Sequence, residues 1–329
     1  MNTENLREIL ERKQIAIYFC TVALSALIAF VVPGTTVLEG AINPALAFML
    51  YVTFLQVPLV ELGQAFKQVR FMAALLVANF VVIPIVALTL IHLFIDDQLL
   101  ILGVMLVLLT PCIDYVVTFA HLGRADARLL LASTPVLLLV QMLLLPFYLG
   151  FVLGDDVTRY IKAGPFIHAF IWLIAVPLIL AGVTQFLARK NPQCAKGASY
   201  LGLMPVPATA LVLAIVILAV VPQLGLAIDS VLKVLPIYIA FAIVAPVCGW
   251  WIARAFKLHS DAGRSVAFSS GTRNSLVVLP LALAVPVAIP ILPAIIVAQT
   301  LVELVSELVY VRVIANWGKP VGNNESAGH

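Results

Sequence analysis

A proline, a thiol and a carboxylate lie close together in an otherwise apolar stretch, at Pro111, Cys112 and Asp114. The surrounding segment, residues 99–122, is long enough to cross a bilayer. An ionisable residue at that depth is costly and marks a functional site by default. Asp114 therefore needs a proton, a cation or a partner, whereas Cys112 could also be a small buried side chain without a role in chemistry.

A second polar interruption lies in another apolar segment, at residues 269–275, and it contains Arg273. An arginine stays charged, so it must find an acceptor: Asp114, the carbonyls at a helix end, or an anionic substrate. We predict that two broken helices cross and that Arg273 pairs with Asp114 there, an interaction that serves transport or only locks the helices. The predicted helix breaks are Pro111, Gly271 and Thr272.

The side chains around the two breaks supply a thiol, a carboxylate, a guanidinium, an amide and hydroxyls, a set that suits binding of a small polar solute. We predict that the substrate-binding residues are Cys112, Asp114, Thr118, Arg273, Asn274 and Ser275. Glu303 and Glu307 are one helical turn apart on one face of a further apolar segment. Asp114 and Glu303 are the predicted proton-coupling residues, although the two glutamates could equally be a packing pair.

The elements that position these residues are membrane helices. The chain of 329 residues is 63% hydrophobic and 11% charged, against about 45–50% and 25% in soluble domains. This composition predicts an all-α polytopic membrane protein. The ten predicted spans are residues 15–32, 41–60, 71–95, 99–122, 129–153, 166–188, 201–221, 231–256, 265–285 and 290–315. Residues 1–14 fit a short interfacial helix or a polar cap on the first span, and residues 316–329 form a polar tail.

The basic residues predict the orientation of the chain. Of 19 lysines and arginines, three (Arg159, Lys162 and Lys233) fall on one side and Arg273 falls within a span, which leaves 15 on the side of the N-terminus. Both termini are therefore expected to be cytoplasmic, in the inner membrane. Ten spans divide into two five-helix repeats, residues 15–153 and 166–315, which must be inverted relative to each other. Paired breaks in such repeats indicate the binding site of a secondary transporter.

Several other classes of protein are disfavoured. The chain has no nucleotide-binding loop, no HExxH motif and no hydrolytic dyad, so we expect neither an ATP-driven pump nor an enzyme. A receptor or scaffold is also disfavoured, because no sizeable soluble domain is present. No cofactor is expected apart from a proton or sodium as the coupling ion. The expected partners are the bilayer and a small solute, not nucleic acid.

Three stretches carry a family resemblance: PCIDYVVTFAHLGRAD at 111–126, ANFVVIPIVALTL at 78–90 and LVELVSELVYVRV at 301–313. Together with the ten spans, they resemble the bile acid/sodium symporter superfamily, and within it the arsenite efflux permeases. The resemblance implies a panel of spans 1, 2, 6 and 7, and a core of spans 3–5 and 8–10 that slides against it. It also implies that Cys112 handles trivalent arsenic and that Glu303 matches a span-10 glutamate of that branch.

The chain departs from both branches at the second break. Ser269 and Arg273 stand where the sodium-coupled branch has an acidic residue and a glutamine, and Leu276 stands near the span-9 glutamate of the arsenite branch. A fixed guanidinium could replace a bound cation electrostatically, which favours proton antiport or anion transport over sodium symport.

Together these features predict a proton-coupled exporter of arsenite or antimonite, that is, of a small inorganic oxyacid. Cys112 would contact the metalloid, since soft thiolates suit soft centres, and Asp114 would exchange the proton while Arg273 sets its proton affinity. The alternative is a sodium- or proton-coupled symporter of a small organic anion, with Arg273 gripping its carboxylate. The oligomeric state is left open.

Overall fold

The computed structural model describes residues 3–56, 68–113, 115–153, 168, 171–283 and 290–318, and this part of the chain is helical apart from short connections. Its longer helices are α1 (Thr3–Val31), α2 (Glu39–Gln56), α3 (Val69–Phe94), α4 (Gln98–Leu108), α5 (Val116–Leu122), α6 (Ala127–Leu153), α7 (Ile171–Lys190), α8 (Pro192–Leu201), α9 (Pro205–Val220), α10 (Leu224–Ala255), α11 (Ser260–Gly271), α12 (Ser275–Leu283) and α13 (Ile291–Val313).

Seven helices are long and apolar enough to cross a membrane: α1, α2, α3, α7, α9, α10 and α13. An eighth span is α6, which bends by 45° near residue 142. Pro146 explains the bend, because its ring displaces the carbonyl four residues earlier. The other two predicted spans, residues 99–122 and 265–285, each consist of two short helices separated by a break. A multi-pass helical membrane protein follows; the ten-span inverted repeat stays a prediction.

Two regions outside the predicted spans are also helical. Helix α1 begins at Thr3 and continues without a break into the first span, so residues 3–14 extend that span, in agreement with the polar-cap alternative, and are not a separate interfacial helix. Between α7 and α9 the chain forms an additional helix, α8. Its first residue is proline, and the side chain of Asn191 caps it by accepting from the N–H of Gln193 at 2.9 Å, the usual chemistry of a helix start.

The helices pack in two groups. Helices α1, α2, α7 and α9 contact one another, and α3, α4, α6, α10, α11, α12 and α13 form the other group, with the short α5 against α6, α11 and α13. These groups correspond to the panel and core that the resemblance implies.

The outer faces of both groups are apolar. Leu24, Leu27 and Phe30 of α1 are 60%, 61% and 78% exposed, and Leu143 and Phe147 of α6 are similarly uncovered. A soluble protein rarely exposes such continuous apolar surface. The surface therefore fits the hydrocarbon region of a bilayer.

Helix α3 widens into a π-helical turn at Ala78–Val82, two residues before Pro84. Pro84 has no N–H and its ring repels the carbonyl of Phe80. The hydroxyl of Tyr148 donates to that carbonyl at 2.5 Å, which satisfies a group that lipid could not. The widened turn also carries Asn79, which is buried and faces the second break.

Pro246 has the same effect in α10, where it leaves the carbonyl of Ala242 without a helical N–H donor. The hydroxyl of Tyr310 on α13 donates to this carbonyl. The ring of Tyr310 lies so close to Gly271 that a Cβ added there would come within 2.9 Å of it. Gly271 therefore lets α13 approach the end of α11, where the second break begins.

Candidate functional site

The two helix breaks meet in the interior. The segment between α4 and α5 and the segment between α11 and α12 run antiparallel and form a single β-bridge between Pro111 and Arg273. The N–H of Cys112 donates to the carbonyl of Thr272 at 3.1 Å, and the N–H of Asn274 donates to the carbonyl of Thr110 at 2.7 Å. The predicted meeting of the two breaks is therefore confirmed. We call residues 110–113 and 272–274 the crossing.

The guanidinium of Arg273 is fully buried. Its Nη2 donates to the carbonyls of Ser269 and Ser270 at 2.5 and 2.9 Å and to Oδ1 of Asn79 at 2.8 Å, and its Nη1 donates to the carbonyl of Leu108 at 3.2 Å. These carbonyls end α4 and α11, where helix dipoles place partial negative charge. The positive charge of Arg273 is thus held by two half-helix ends.

Asp114, the predicted partner of Arg273, lies outside the described residues, so their pairing stays a prediction. Of the acceptors proposed for Arg273, the helix carbonyls are present. Its guanidinium also lies 5.6 Å from the ring centre of Phe241, within the range of a cation–π interaction. In the described ranges the one salt bridge is Arg7–Glu11, far from this site in sequence.

The carboxylate of Glu303 on α13 binds the second break. Its Oε2 accepts from the backbone N–H of Arg273 at 2.7 Å and from Nε2 of Gln299 at 2.5 Å. Its Oε1 accepts from the hydroxyl of Tyr115. Glu303 therefore contacts the second break directly, and its role in proton transfer stays a prediction.

Glu307 lies one turn further along α13 and is equally buried. Its Oε1 is hydrogen-bonded to Oγ1 of Thr272, while its Oε2 has no partner among the described residues. Both glutamates thus contact the second break, but only Glu303 has both oxygens engaged.

The other predicted substrate-binding residues divide into two sets. Cys112, Asn274 and Ser275 are buried in packed protein, and the hydroxyl of Ser275 is hydrogen-bonded to that of Thr300 at 2.8 Å. Thr118, in contrast, lines an open cavity. The structure therefore brings the first three together at or beside the crossing and places Thr118 on a different surface.

This cavity has a volume of about 890 Å³ and lies between the panel and the core. Its described lining comes from α1, α2 and α9 on one side and from α5, α6 and the first break on the other. The polar members are Arg7, Glu11, Arg12, Gln14, Tyr18, Thr53, Gln56, Tyr115, Thr118, His121 and Thr209, and the apolar ones include Ile113, Val117, Leu122, Leu131, Pro205 and Val206. Such a mixed lining suits an amphipathic small molecule.

Tyr115 and Gln299 were not predicted from the sequence. Gln299 precedes Glu303 and Glu307 at a spacing of four, so the three form one polar stripe in an apolar helix, and this signal was available. Tyr115 gave no comparable signal. Its role depends on the crossing, because it lines the cavity and also donates to Glu303.

A comparison with protein families identifies the family of this chain. The sodium bile acid symporter family matches residues 43–234, more than half of the chain. The match includes the first break and ends before Arg273, Glu303 and Glu307. Among curated proteins, none matches the chain closely enough to count as a relative. Given the family match and the multi-pass helical structure, the chain belongs to the sodium bile acid symporter family, whose members are membrane transporters.

Proposed function

We propose that this protein is a secondary active transporter of a small organic anion, which binds in the cavity between panel and core. The observation that carries the proposal is the cavity of about 890 Å³, since drug-sized ligands occupy pockets of about 300–1,000 Å³. With both termini on the cytoplasmic side of the inner membrane, as the basic residues predict, the cavity opens to the cytoplasm.

The charges in the lining favour an anion. Arg7, Arg12 and His121 are basic, while Glu11 is acidic. Glu11 is engaged by Arg7 at 2.7 Å, so Arg12 adds positive charge at the mouth. The apolar side chains of the lining suit the hydrocarbon part of the solute. A carboxylate on an apolar body matches both features.

The contacts of Arg273 favour coupling to an ion other than sodium. Carbonyls at broken-helix ends are the ligands with which secondary transporters hold sodium. At this crossing the guanidinium already donates hydrogen bonds to the carbonyls of Leu108, Ser269 and Ser270. We therefore propose that Arg273 takes the place of a sodium ion at the second break. Its donors are directed into the protein, which does not suit the gripping of a substrate carboxylate.

Uptake by the purified protein in proteoliposomes tests the proposal. We expect saturable uptake of taurocholate or phenylacetate that is unchanged when choline replaces sodium. Thr118→Trp should abolish uptake by filling the cavity. The matched Ile179→Trp should not, because Ile179 lies on an outer face and is 64% exposed. Uptake of neither anion by well-incorporated protein, or uptake that requires sodium, would contradict the proposal.

Arsenite efflux is the second candidate, and the position of Cys112 favours it. This thiol lies at the crossing, where a soft metalloid would meet the moving part of the protein. Arsenous acid is small and uncharged at neutral pH, however, and Cys112 does not belong to the described cavity lining. The organic anion therefore ranks first.

Expression in arsenite-sensitive cells without an exporter tests this candidate. If arsenite is the cargo, intracellular arsenic should fall, and Cys112→Ser should restore accumulation while the matched Cys194→Ser should not. Unchanged accumulation, with the protein present in the membrane, would exclude arsenite.

A further inference from the structure

The two buried glutamates of α13 have different hydrogen-bond partners. All three described partners of Glu303 act as donors: Nε2 of Gln299, the backbone N–H of Arg273 and the hydroxyl of Tyr115, which lies much nearer to Oε1 of Glu303 than to its other acceptor, the carbonyl of Arg273 at 3.5 Å. An ionised carboxylate is an acceptor only. The surroundings of Glu303 therefore suit the charged form, and the guanidinium of Arg273 adds a compensating positive charge.

The surroundings of Glu307 suit the opposite form. Its Oε2 is buried without a described partner, a costly arrangement for a charge. An ionised Glu307 would also lie one turn from an ionised Glu303, and like charges in one buried site disfavour double ionisation. A proton on Glu307 removes both penalties.

The hydrogens at Thr272 lead to the same assignment. Its hydroxyl lies 2.7 Å from the carbonyl of Phe268 and also pairs with Oε1 of Glu307. A hydroxyl has one hydrogen, and the carbonyl can only accept. If Thr272 donates to Phe268, the hydrogen in the other contact must come from Glu307. A protonated Glu307 is the state that satisfies both contacts.

We propose that Glu307 is the proton-carrying residue of this transporter, and that Thr272 links its protonation to the second helix break. The inference rests on the proposed transport function and assigns the coupling proton to Glu307 in place of Glu303; Asp114, the other predicted carrier, lies outside the described residues. Loss of the proton forces Thr272 to give its hydrogen to Glu307 and to abandon Phe268. Proton release therefore favours a different arrangement of α11 against α13, which is the linkage that coupled transport requires.

The neighbouring groups define what else titrates with this site. On α13 itself, Glu303 and Tyr310 flank Glu307, and the hydroxyl of Tyr310 donates to Ala242 of α10. Arg273 at the second break and Tyr115 beside α5 both act on Glu303. No charged side chain in the described part of α3, α4, α6, α9 and α12 interacts with Glu307.

Infrared spectroscopy of the purified protein tests the inference without any transported substrate. Protonated carboxylic acids give a separate carbonyl band, and one component of this band should be lost in Glu307→Gln at neutral pH. Glu303→Gln should retain it, as should the exposed control Asp229→Asn. The band should also shift to higher frequency in Thr272→Val but not in Thr272→Ser, because only the valine removes the hydrogen-bond partner.

Transport supplies the second measurement. A pH gradient should change taurocholate or phenylacetate uptake by the wild type and by Asp229→Asn, while uptake by Glu307→Gln should no longer respond to it. An infrared band that survives Glu307→Gln, or that disappears in Glu303→Gln, would overturn the assignment. If neither anion is transported by the wild type, the proposed substrate class fails while the infrared result still decides the assignment of the proton.

Discussion

The crossing and the cavity are adjacent, but they differ in packing and in chemistry. At the crossing, Arg273, Ser269 and Glu303 are at most 2% exposed and hydrogen-bonded to one another or to backbone. The cavity exposes threonines, glutamines and arginines around about 890 Å³ of open space. One region has its charges already compensated by protein, and the other presents polar groups that a solute can use.

In the proposed mechanism, this difference separates binding of the solute from coupling to the proton. A solute in the cavity can be recognised without entering the crossing, and a proton at the crossing can act without touching the solute. Tyr115 lies at the boundary, because its side chain lines the cavity and its hydroxyl donates to Glu303. Substitutions in the cavity should therefore change the KM for the solute, and substitutions at the crossing should change stability and the transport rate.

Arg273→Ala should have the largest effect. It removes the donors to three helix-end carbonyls and to Asn79, so we expect unfolding to become easier by about 3–5 kcal/mol and transport to be lost. Thermal unfolding in detergent measures the first effect. Arg254→Ala, which removes a cation over the ring of Trp250, should leave the Tm nearly unchanged.

The same variant tests whether the guanidinium of Arg273 takes the place of a bound sodium ion. Without the guanidinium, the carbonyls of Leu108, Ser269 and Ser270 become available to a hard cation. Sodium should then raise the Tm of Arg273→Ala relative to choline, and it should not raise the Tm of the wild type. An equal response of both proteins would show that Arg273 does not occupy a cation site.

Tyr115→Phe should have the second-largest effect, because it removes the hydroxyl that links the cavity to Glu303 and to the carbonyl of Arg273. Loss of a hydrogen bond to a charged group is worth about 1.5–3 kcal/mol, so we expect the transport rate to fall about tenfold or more. Anion binding, measured by calorimetry, should change less than about threefold since the ring remains. Tyr51→Phe, whose hydroxyl pairs with Thr184 in the panel, is the control; an equal loss of rate there would remove Tyr115 from coupling.

A pair of hydroxyl deletions compares the two regions directly. Thr118→Val in the cavity should raise the KM about three- to tenfold with an unchanged Tm, from loss of a hydrogen bond worth about 0.5–1.5 kcal/mol. Ser275→Ala, which removes the contact with Thr300, should lower the Tm and leave the KM unchanged. The reverse pattern would show that the solute binds at the crossing.

Tyr148→Phe should have the smallest effect. It leaves the carbonyl of Phe80 without its donor, so stability should fall by about 1 kcal/mol while the transport kinetics stay as in the wild type. The exposed Tyr200→Phe is the matched control for the Tm. A kinetic defect in Tyr148→Phe would show that the widened turn of α3 takes part in transport.

Much of the fold could be predicted from the sequence. Apolar segments of about 20 residues, interrupted at Pro111 and at Gly271-Thr272, predicted the helices and the positions of both breaks. The extension of α1 was one of the two alternatives predicted for residues 1–14. The additional helix α8 was missed, because a short polar helix has no comparable length signal. The role of Asp114 and the inverted repeat stay predictions.

The candidate site was predictable only in part. The need of Arg273 for an acceptor follows from its permanent charge, and the polar stripe of Glu303 and Glu307 follows from their spacing. Which acceptor Arg273 takes could not be predicted, since carbonyls are present at every position of the chain. The assignment of Thr118 to the cavity and of Ser275 to packed protein also depends on how each helix is rotated about its axis.

By itself, the sequence determined that this protein spans a membrane, that two of its helices are broken, and that charged residues lie at or near those breaks. Only the tertiary structure decided that Arg273 binds the ends of two half-helices, that Glu303 and Glu307 receive different partners, and that a cavity lies beside them. The physical reason is distance along the chain: Arg273 and the carbonyl of Leu108 are 165 positions apart, and only the packing of the helices between them brings the two groups into contact.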